Sequence, residues 1–357
     1  MIDTLSMNRQ EIADLFRLWG EPAFRAGQYY AWQKEGTPIG EMSNLPRTLR
    51  ERLTAEVTDT LPRVEEKYVS RIDGTVKYLF RLYDGECIES VLMKYHHGNT
   101  LCISSQVGCR MGCRFCASTL AGKVRDLLPS EMLGQVIAAA RDSGEKIGGI
   151  VMMGIGEPLD NYDNAVKFLR LVNDPEGLNI GYRHISLSTC GVVPGILKLA
   201  KEEFPITLSI SLHASSDETR SAIMPVNKRW HIDELLAACV TYYRTTGRRI
   251  SFEYTLISGK NDDLAAARAL GNLLKNAFRG TGAPLHVNLI RVNEVTETGM
   301  KQGTVESANR FAAALGEMGV VATVRRRLGS DVNAACGQLR RRHAATAPAK
   351  EPEEETP

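Results

Sequence analysis

Residues 101–116 read LCISSQVGCRMGCRFC. A short candidate strand, LCISSQ, passes into a loop where Cys109, Cys113 and Cys116 are spaced as CxxxCxxC. The strand-then-loop rhythm recurs downstream in GGIVMMG (148–154), HISLSTC (184–190), ITLSISLHA (206–214), ISFEYTLIS (250–258), LHVNLIRV (285–292) and VVATVRRRL (320–328). Between these runs lie amphipathic helical stretches such as SEMLGQVIAAARDSG (130–144) and HIDELLAACVTYYRTTG (231–247). Repeated βαβ units build a parallel sheet with helices outside it. Six or so units make a partial or full barrel, so we expect an α/β fold with a partial (β/α) barrel over 99–340.

Upstream the character changes twice. VEEKYVSRI (64–72), GTVKYLFRL (74–82) and CIESVLMKY (87–95) are short apolar-rich runs separated by Asp73-Gly74 and Asp84-Gly85, which are hairpin signals. They predict a β meander over 63–98. Before it, Asn8 caps EIADLFRLW, Gly20 ends that run, Pro22 opens PAFRAGQYYAWQ, and LPRTLRERL follows Asn44. A small helical accessory domain is expected over 1–62. The tail AATAPAKEPEEETP lacks apolar content, and 341–357 is expected to be disordered.

The whole chain has 357 residues, 43% hydrophobic and 24% charged, with a formal net charge of +2. That is an ordinary globular composition. It argues against a bulk polyanion binder but leaves room for a local basic patch. No run is long enough to span a bilayer, and MIDTLSMNRQEIADLF lacks a signal peptide's apolar segment. A cytoplasmic location without membrane attachment is expected. Thiols stay reduced there, so the eight cysteines do not read as a disulfide framework.

Three thiolates on one loop can converge on one metal centre. Three ligands to a 4Fe–4S cluster leave one iron open, and an open iron can chelate the amino and carboxylate groups of S-adenosylmethionine (SAM). The competing readings are a three-cysteine zinc site completed from elsewhere and chance clustering. In a βα barrel, reactive groups collect at the C-terminal ends of the strands. Gly154 to Pro158 follow one such strand, where a backbone amide or Glu157 can hold the amino group of SAM; the alternative is a plain turn. Ser188, Ser211, Leu212, His213 and Asn293 also fall at strand ends, and each read alone is an ordinary loop or core group. Cys336, followed by Gly337, comes just after the last strand, and Cys102 lies in the first; a buried structural thiol is the alternative for both. Glu89 shares a face of its strand with Val91 and Met93. On an apolar face it would have a raised pKa and could act as a general base, or else it is an edge charge facing water. Arg325 to Arg327 and Arg340 to Arg342 suit either an RNA backbone or a solvated face.

The segments IESV, CISSQVGCRMGCRFCAST, GIGEPLDN, LSTCG, SLHA, RRISFEY, HVNLI and NAACGQL, in order from Glu89 to Leu339, together resemble the RlmN/Cfr family of radical SAM rRNA adenine methyltransferases. The helical N-terminal region also looks like that family's accessory domain. The resemblance implies that Cys109, Cys113 and Cys116 ligate one 4Fe–4S cluster. It implies SAM contacts at Gly156, Glu157, Ser188, Ser211, Leu212, His213 and Asn293. It implies that Cys336 becomes S-methylated and that a radical made from a second SAM takes a hydrogen from that methyl group. The methylene radical then adds to adenine, Glu89 accepts the ring proton, and Cys102 attacks the Cys336 sulfur to free the base, forming a disulfide. The implied substrates are an adenosine of 23S rRNA near the peptidyl-transferase centre and the tRNA adenosine 3′ of the anticodon. A flavodoxin or ferredoxin would donate electrons to a monomeric enzyme. Asn333 stands where members often carry Asp. Arg291 is similar to the C8-methylating branch, and Gly156-Glu157-Pro158 to the C2 branch, which we favour. The other readings are C8 methylation, a radical SAM activase that makes a glycyl radical, and a zinc-stabilised RNA-binding module.

Overall fold

A computed structural model describes residues 1–96, 98–293 and 299–332. Cys336, Asn333, Arg340 to Arg342 and the expected tail lie outside the described residues.

Three helices open the chain: α1 (Arg9–Leu18), α2 (Phe24–Lys34) and α3 (Arg47–Glu56). Asn8 caps α1 in a reciprocal box with Glu11, which satisfies two otherwise orphan backbone donors. Ile12, Phe16, Tyr29, Leu49 and Leu53 bury a core of their own. Tyr30 donates to Asp174 at 2.9 Å and Ser130 to Asp3 at 2.7 Å, tying these helices to the remainder.

Strands β1 (Arg63–Val69), β2 (Val76–Arg81), β3 (Cys87–Tyr95) and β4 (Gly98–Cys102) are antiparallel. Gly74 and Gly85, with φ of +72° and +85°, supply the left-handed turn residues. After β4 come β5 (Gln106–Gly108) and β6 (Lys123–Asp126), and then α4 (Pro129–Ser143), β7 (Ile147–Met152), α5 (Tyr162–Asn173), β8 (Ile185–Thr189), α6 (Val193–Leu199), β9 (Thr207–Ser211) and α7 (Asp217–Ile223). The chain continues through α8 (Ile232–Thr246), β10 (Ile250–Leu256), α9 (Leu264–Ala277), β11 (His286–Arg291), α10 (Val305–Glu317) and β12 (Val321–Val324).

Ten strands form one sheet in the order β1-β2-β3-β4-β7-β8-β9-β10-β11-β12, with every pairing from β4 onward parallel. The meander is therefore continuous with the βα region, and among the described residues β12 does not close onto β4. A partial rather than full barrel results.

Along the parallel strands apolar and polar residues alternate. Leu187, Leu208, Ile210, Phe252, Val287 and Leu289 pack under the helices. The intervening side chains bond one another across strands: Ser186 to Ser209 (3.0 Å), Asn288 to Glu253 (2.7 Å), Ser251 to His286 (3.1 Å) and His286 to Thr323 (2.9 Å). A parallel sheet covered on both faces reads as continuous apolar runs; here the polar face lines an interior.

Two local expectations change. LCISSQ is not one strand: β4 ends at Cys102, and Gln106 starts the separate β5–β6 hairpin. The three-cysteine loop is thus carried by a hairpin instead of directly by the first barrel strand. VVATVRRRL is also cut short, because β12 ends at Val324. Arg325 to Arg327 follow it in loop conformation.

Candidate active site

Loop 109–122 connects β5 to β6. Its base is clamped by Asp160, which accepts from Lys123 (3.0 Å) and Gln106 (2.9 Å) and pairs with Arg110. Gly112, with φ +72°, turns the loop against Pro225. Cys109, Cys113 and Cys116 line a single cavity with Gly156, Glu157, Ser188, Ser211, His213 and Asn293. Burial pushes the Cys109 thiol up to about 12 and Cys113 further, so a bound cation must supply the energy to make them thiolates. Among the described residues no three Cys, His, Asp or Glu side chains are gathered tightly enough for a single ion. A four-iron cube spaces its thiolates more widely than one ion does, and an all-thiol donor set suits it. The residues fit such a cluster.

The strand ends shape the rest of that cavity. Gly154 donates to the Ile103 carbonyl at 3.0 Å, and a Cβ on it would fall 2.6 Å from that oxygen. Gly156 has φ +109° and lies against Gln106 and Ser105. Only glycine permits this close approach of the segment after β7 to the chain between β4 and β5. Glu157 is 3% exposed. Its carboxylate accepts from the backbone amides of Leu159 (3.0 Å) and Cys190 (2.7 Å), and burial raises its pKa.

His213 adopts φ +58°, strained for a non-glycine residue. Its Nδ1 accepts from the Thr255 amide at 2.9 Å, which leaves the proton on Nε2. Burial lowers its pKa to about 3, so the ring is neutral. Phe115 of the cysteine loop meets it edge-on at 4.8 Å. Ser188 and Ser211 face the cavity, whereas the Leu212 side chain is fully buried in the apolar core.

A second chamber of about 490 Å³ adjoins the first and shares Met153, Gly154, Ile290, Asn293 and Arg325 with it. Glu89, Val91, Met93 and Cys102 line it from β3 and β4, where Val91 pairs with Cys102. Burial raises the Cys102 thiol to about 11, with Arg325 opposing the shift. Glu89 is 3% exposed, and its face is not purely apolar, because Lys77 Nζ lies 3.6 Å away. Arg291, Arg325, Arg326 and Arg327 line it as well. The seven described cysteines are all free.

Lys77, Asp160, Arg220, Glu253 and Met153 were not singled out by sequence reasoning. Lys77 and Glu253 had an available signal, a charge within a strand rich in apolar residues. Arg220 and Asp160 lie in helix and loop segments, where a charge is unremarkable.

Two family models match the chain: the Radical SAM superfamily over residues 103–269, and the ribosomal RNA large subunit methyltransferase N-terminal domain over residues 2–58. The chain is 52% identical over 343 residues to a probable dual-specificity RNA methyltransferase RlmN of Alkaliphilus oremlandii, covering 96% of this chain and 98% of that one. It is 49% identical over 344 residues to the protein of the same description from Clostridium acetobutylicum, covering 96% and 98%. A crystal structure of a radical SAM methyltransferase from Sphaerobacter thermophilus superposes with a TM-score of 0.89 at 41% identity, covering 95% of this chain and 99% of that one. Among the described residues no helix is long and apolar enough to cross a membrane.

Proposed function

Because the chain belongs to the RlmN family of radical SAM RNA methyltransferases, we propose that it methylates C2 of an adenosine in 23S rRNA and of the tRNA adenosine 3′ of the anticodon, through an S-methylcysteine. The adjoining chambers carry this reading: three thiols line one, Glu89 and Cys102 line the other, and Met153, Gly154, Ile290, Asn293 and Arg325 form the shared wall.

Cys109, Cys113 and Cys116 would hold the cluster, and Gly156, Glu157, Ser188, Ser211, His213 and Asn293 would surround SAM. Leu212 would contribute its backbone alone. When bound, the cluster and SAM supply a methyl group and a one-electron route to a hydrogen-abstracting radical. The remaining work falls to the chain. C2 of adenine is an amidine-type carbon and a poor nucleophile, so the methyl group has to be delivered activated, on the Cys336 sulfur. In sequence Cys336 is six residues beyond Ser330, which lines the Glu89 chamber. Glu89 accepts the C2 proton. Cys102 attacks the Cys336 sulfur, forming the Cys102–Cys336 disulfide as the sulfur–methylene bond breaks, and the released methylene takes a proton to complete the methyl group. Arg325 to Arg327 suit a phosphate flanking a base that has left its stack.

The test uses anaerobically reconstituted protein, reductant, unmodified 23S rRNA or tRNA, and SAM with a trideuterated methyl group. A 2-methyladenosine retaining two deuteriums supports the proposal. The same label at C8 moves the assignment to the other branch, and retention of all three deuteriums overturns the methylene route. The chain's electron donor is expected to be a flavodoxin or ferredoxin.

A further inference from the structure

Among the described residues Arg220 is the largest side chain wholly withdrawn from solvent, at 0% exposure. Every direct partner it has is neutral. Nε donates to the Leu212 carbonyl (3.1 Å), Nη2 to the carbonyls of Cys190 (2.6 Å) and Ser211 (3.1 Å), and Nη1 to Asn227 Oδ1 (2.9 Å). Among the described residues no carboxylate lies within ion-pair distance. The nearest acidic partner in the network is Asp217, which reaches Arg220 only through the Asn227 amide, at 2.9 Å from Asn227 Nδ2. Hydrogen bonds to carbonyls satisfy the donors but do not neutralise the charge, and a buried, unneutralised guanidinium is costly.

The position of that charge is informative. α7 and the turn after it back the cysteine loop: Ile223's carbonyl accepts from the Arg114 amide at 2.9 Å, and Cys113, Cys190, Ile223 and Met224 pack in one cluster. Cys190 lines the three-cysteine cavity, and Arg220 grips its carbonyl. The anions already at this cavity are engaged elsewhere, since Glu157 accepts from two backbone amides and Glu253 from Ser251 and Asn288.

We infer that Arg220 is the buried counter-cation of the cluster that the three cysteines hold, and that it sets the potential at which the cluster accepts an electron. A cubane on three thiolates carries net negative charge, and reduction adds one more negative charge without any bond forming or breaking. A fixed cation behind the loop stabilises the reduced form more than the oxidised one, and net charge is one of the terms that set such potentials. Arg220 is therefore a positioning and electrostatic residue; it is wholly buried and does not itself line the cavity. The inference rests on the cluster reading of Cys109, Cys113 and Cys116 but not on the identity of the RNA product.

The test is an EPR-monitored redox titration of the anaerobically reconstituted full-length protein, with iron, sulfide and SAM binding measured alongside. Arg220→Gln is expected to move the midpoint potential to a more negative value, and Arg220→Lys to hold it near that of the parent. Asp217→Asn removes the distant opposing charge and is expected to shift the potential in the positive direction. Shifts of opposite sign from two members of one network are not produced by loss of packing. A cluster-loaded Arg220→Gln protein with the parent's potential overturns the inference. Should that variant fail to fold, an Asp217→Asn potential equal to or below the parent's overturns it. Failure of the parent itself to bind iron and sulfide would instead sink the cluster reading.

Discussion

Lys77 Nζ lies 3.6 Å from Glu89 Oε1, and neither side chain is more than 4% exposed. The two sit on paired strands, where Lys77 is opposite Val91 and Glu89 opposite Leu79, so they meet diagonally on one face of the sheet. Taking a carboxylate out of water without a counter-charge costs several kcal/mol, and Lys77 offsets that cost. Lys77→Met is therefore expected to destabilise the protein by about 3–5 kcal/mol, read by denaturant unfolding, and to reduce RNA methylation. Pairing it with Glu89→Leu should restore most of the stability and none of the activity. A Lys77→Met protein with parental stability would mean that the pair is not what holds Glu89 in place.

The approach of the segment after β7 to the start of β5 is equally specific. A Cβ on Gly156 would lie 2.6 Å from Gln106 Cβ and 2.7 Å from the Gln106 amide nitrogen, at a φ of +109° that L side chains rarely adopt. Gly156→Ala must displace the hairpin that carries the cysteine loop. It is expected to cost about 1–3 kcal/mol of stability and to weaken SAM binding at least tenfold, measured by thermal unfolding and equilibrium dialysis. Gly247, at φ +63° with nothing near its missing Cβ, is the control: Gly247→Ala should leave SAM binding unchanged.

What was legible in the sequence, and what was not, divides along physical lines. The βα rhythm is written in apolar periodicity, and Asn8, Gly74 and Gly85 announce turns and caps through local backbone chemistry. Cys109, Cys113 and Cys116 are neighbours in sequence, so their spacing alone marks them. The hairpin beneath them is hidden because β5 and β6 have three and four residues, too few for alternation to register. Lys77, Arg220 and Glu253 become functional candidates through what they face in the fold: a charge in an apolar-rich strand marks Lys77 and Glu253 as odd but names no partner, and Arg220 sits in a helix, where a charge is unremarkable. Leu212 shows the converse, a strand-end residue whose side chain turns away from the cavity into the core.

Glu253 makes the pH dependence of stability testable. It is 3% exposed, and burial raises its pKa above the ordinary 4.5, with Arg325, Asn288 and Ser251 opposing the shift. The folded protein then holds this proton more tightly than the unfolded chain does. Between 4.5 and the raised value the native state binds more protons, so this group's contribution to stability is fully present below the unfolded pKa and is lost as pH rises through the folded one. Glu253→Gln keeps the shape and cannot titrate. Urea unfolding over that range is expected to show a flatter slope for the variant. Identical slopes in both proteins would show that Glu253 titrates normally and that its enclosure is incomplete.

Cys102 separates bond formation to RNA from its release. Its thiol, raised to about 11 by burial, is overwhelmingly protonated at neutral pH, and only the thiolate attacks sulfur. If Cys102 resolves the adduct between Cys336 and the base, Cys102→Ala should still cleave SAM and still add to adenine, but it should stall as a covalent protein–RNA complex that survives denaturing electrophoresis. In the unsubstituted protein, single-turnover release should quicken by about tenfold per pH unit below the thiol's pKa, unless another group takes the proton first. Glu89, in the same chamber, is placed to do that once it has passed on the C2 proton, so Glu89→Gln examined for release from a preformed adduct tells the two routes apart. A Cys102→Ala protein that turns over freely without trapping RNA would remove Cys102 from the release step.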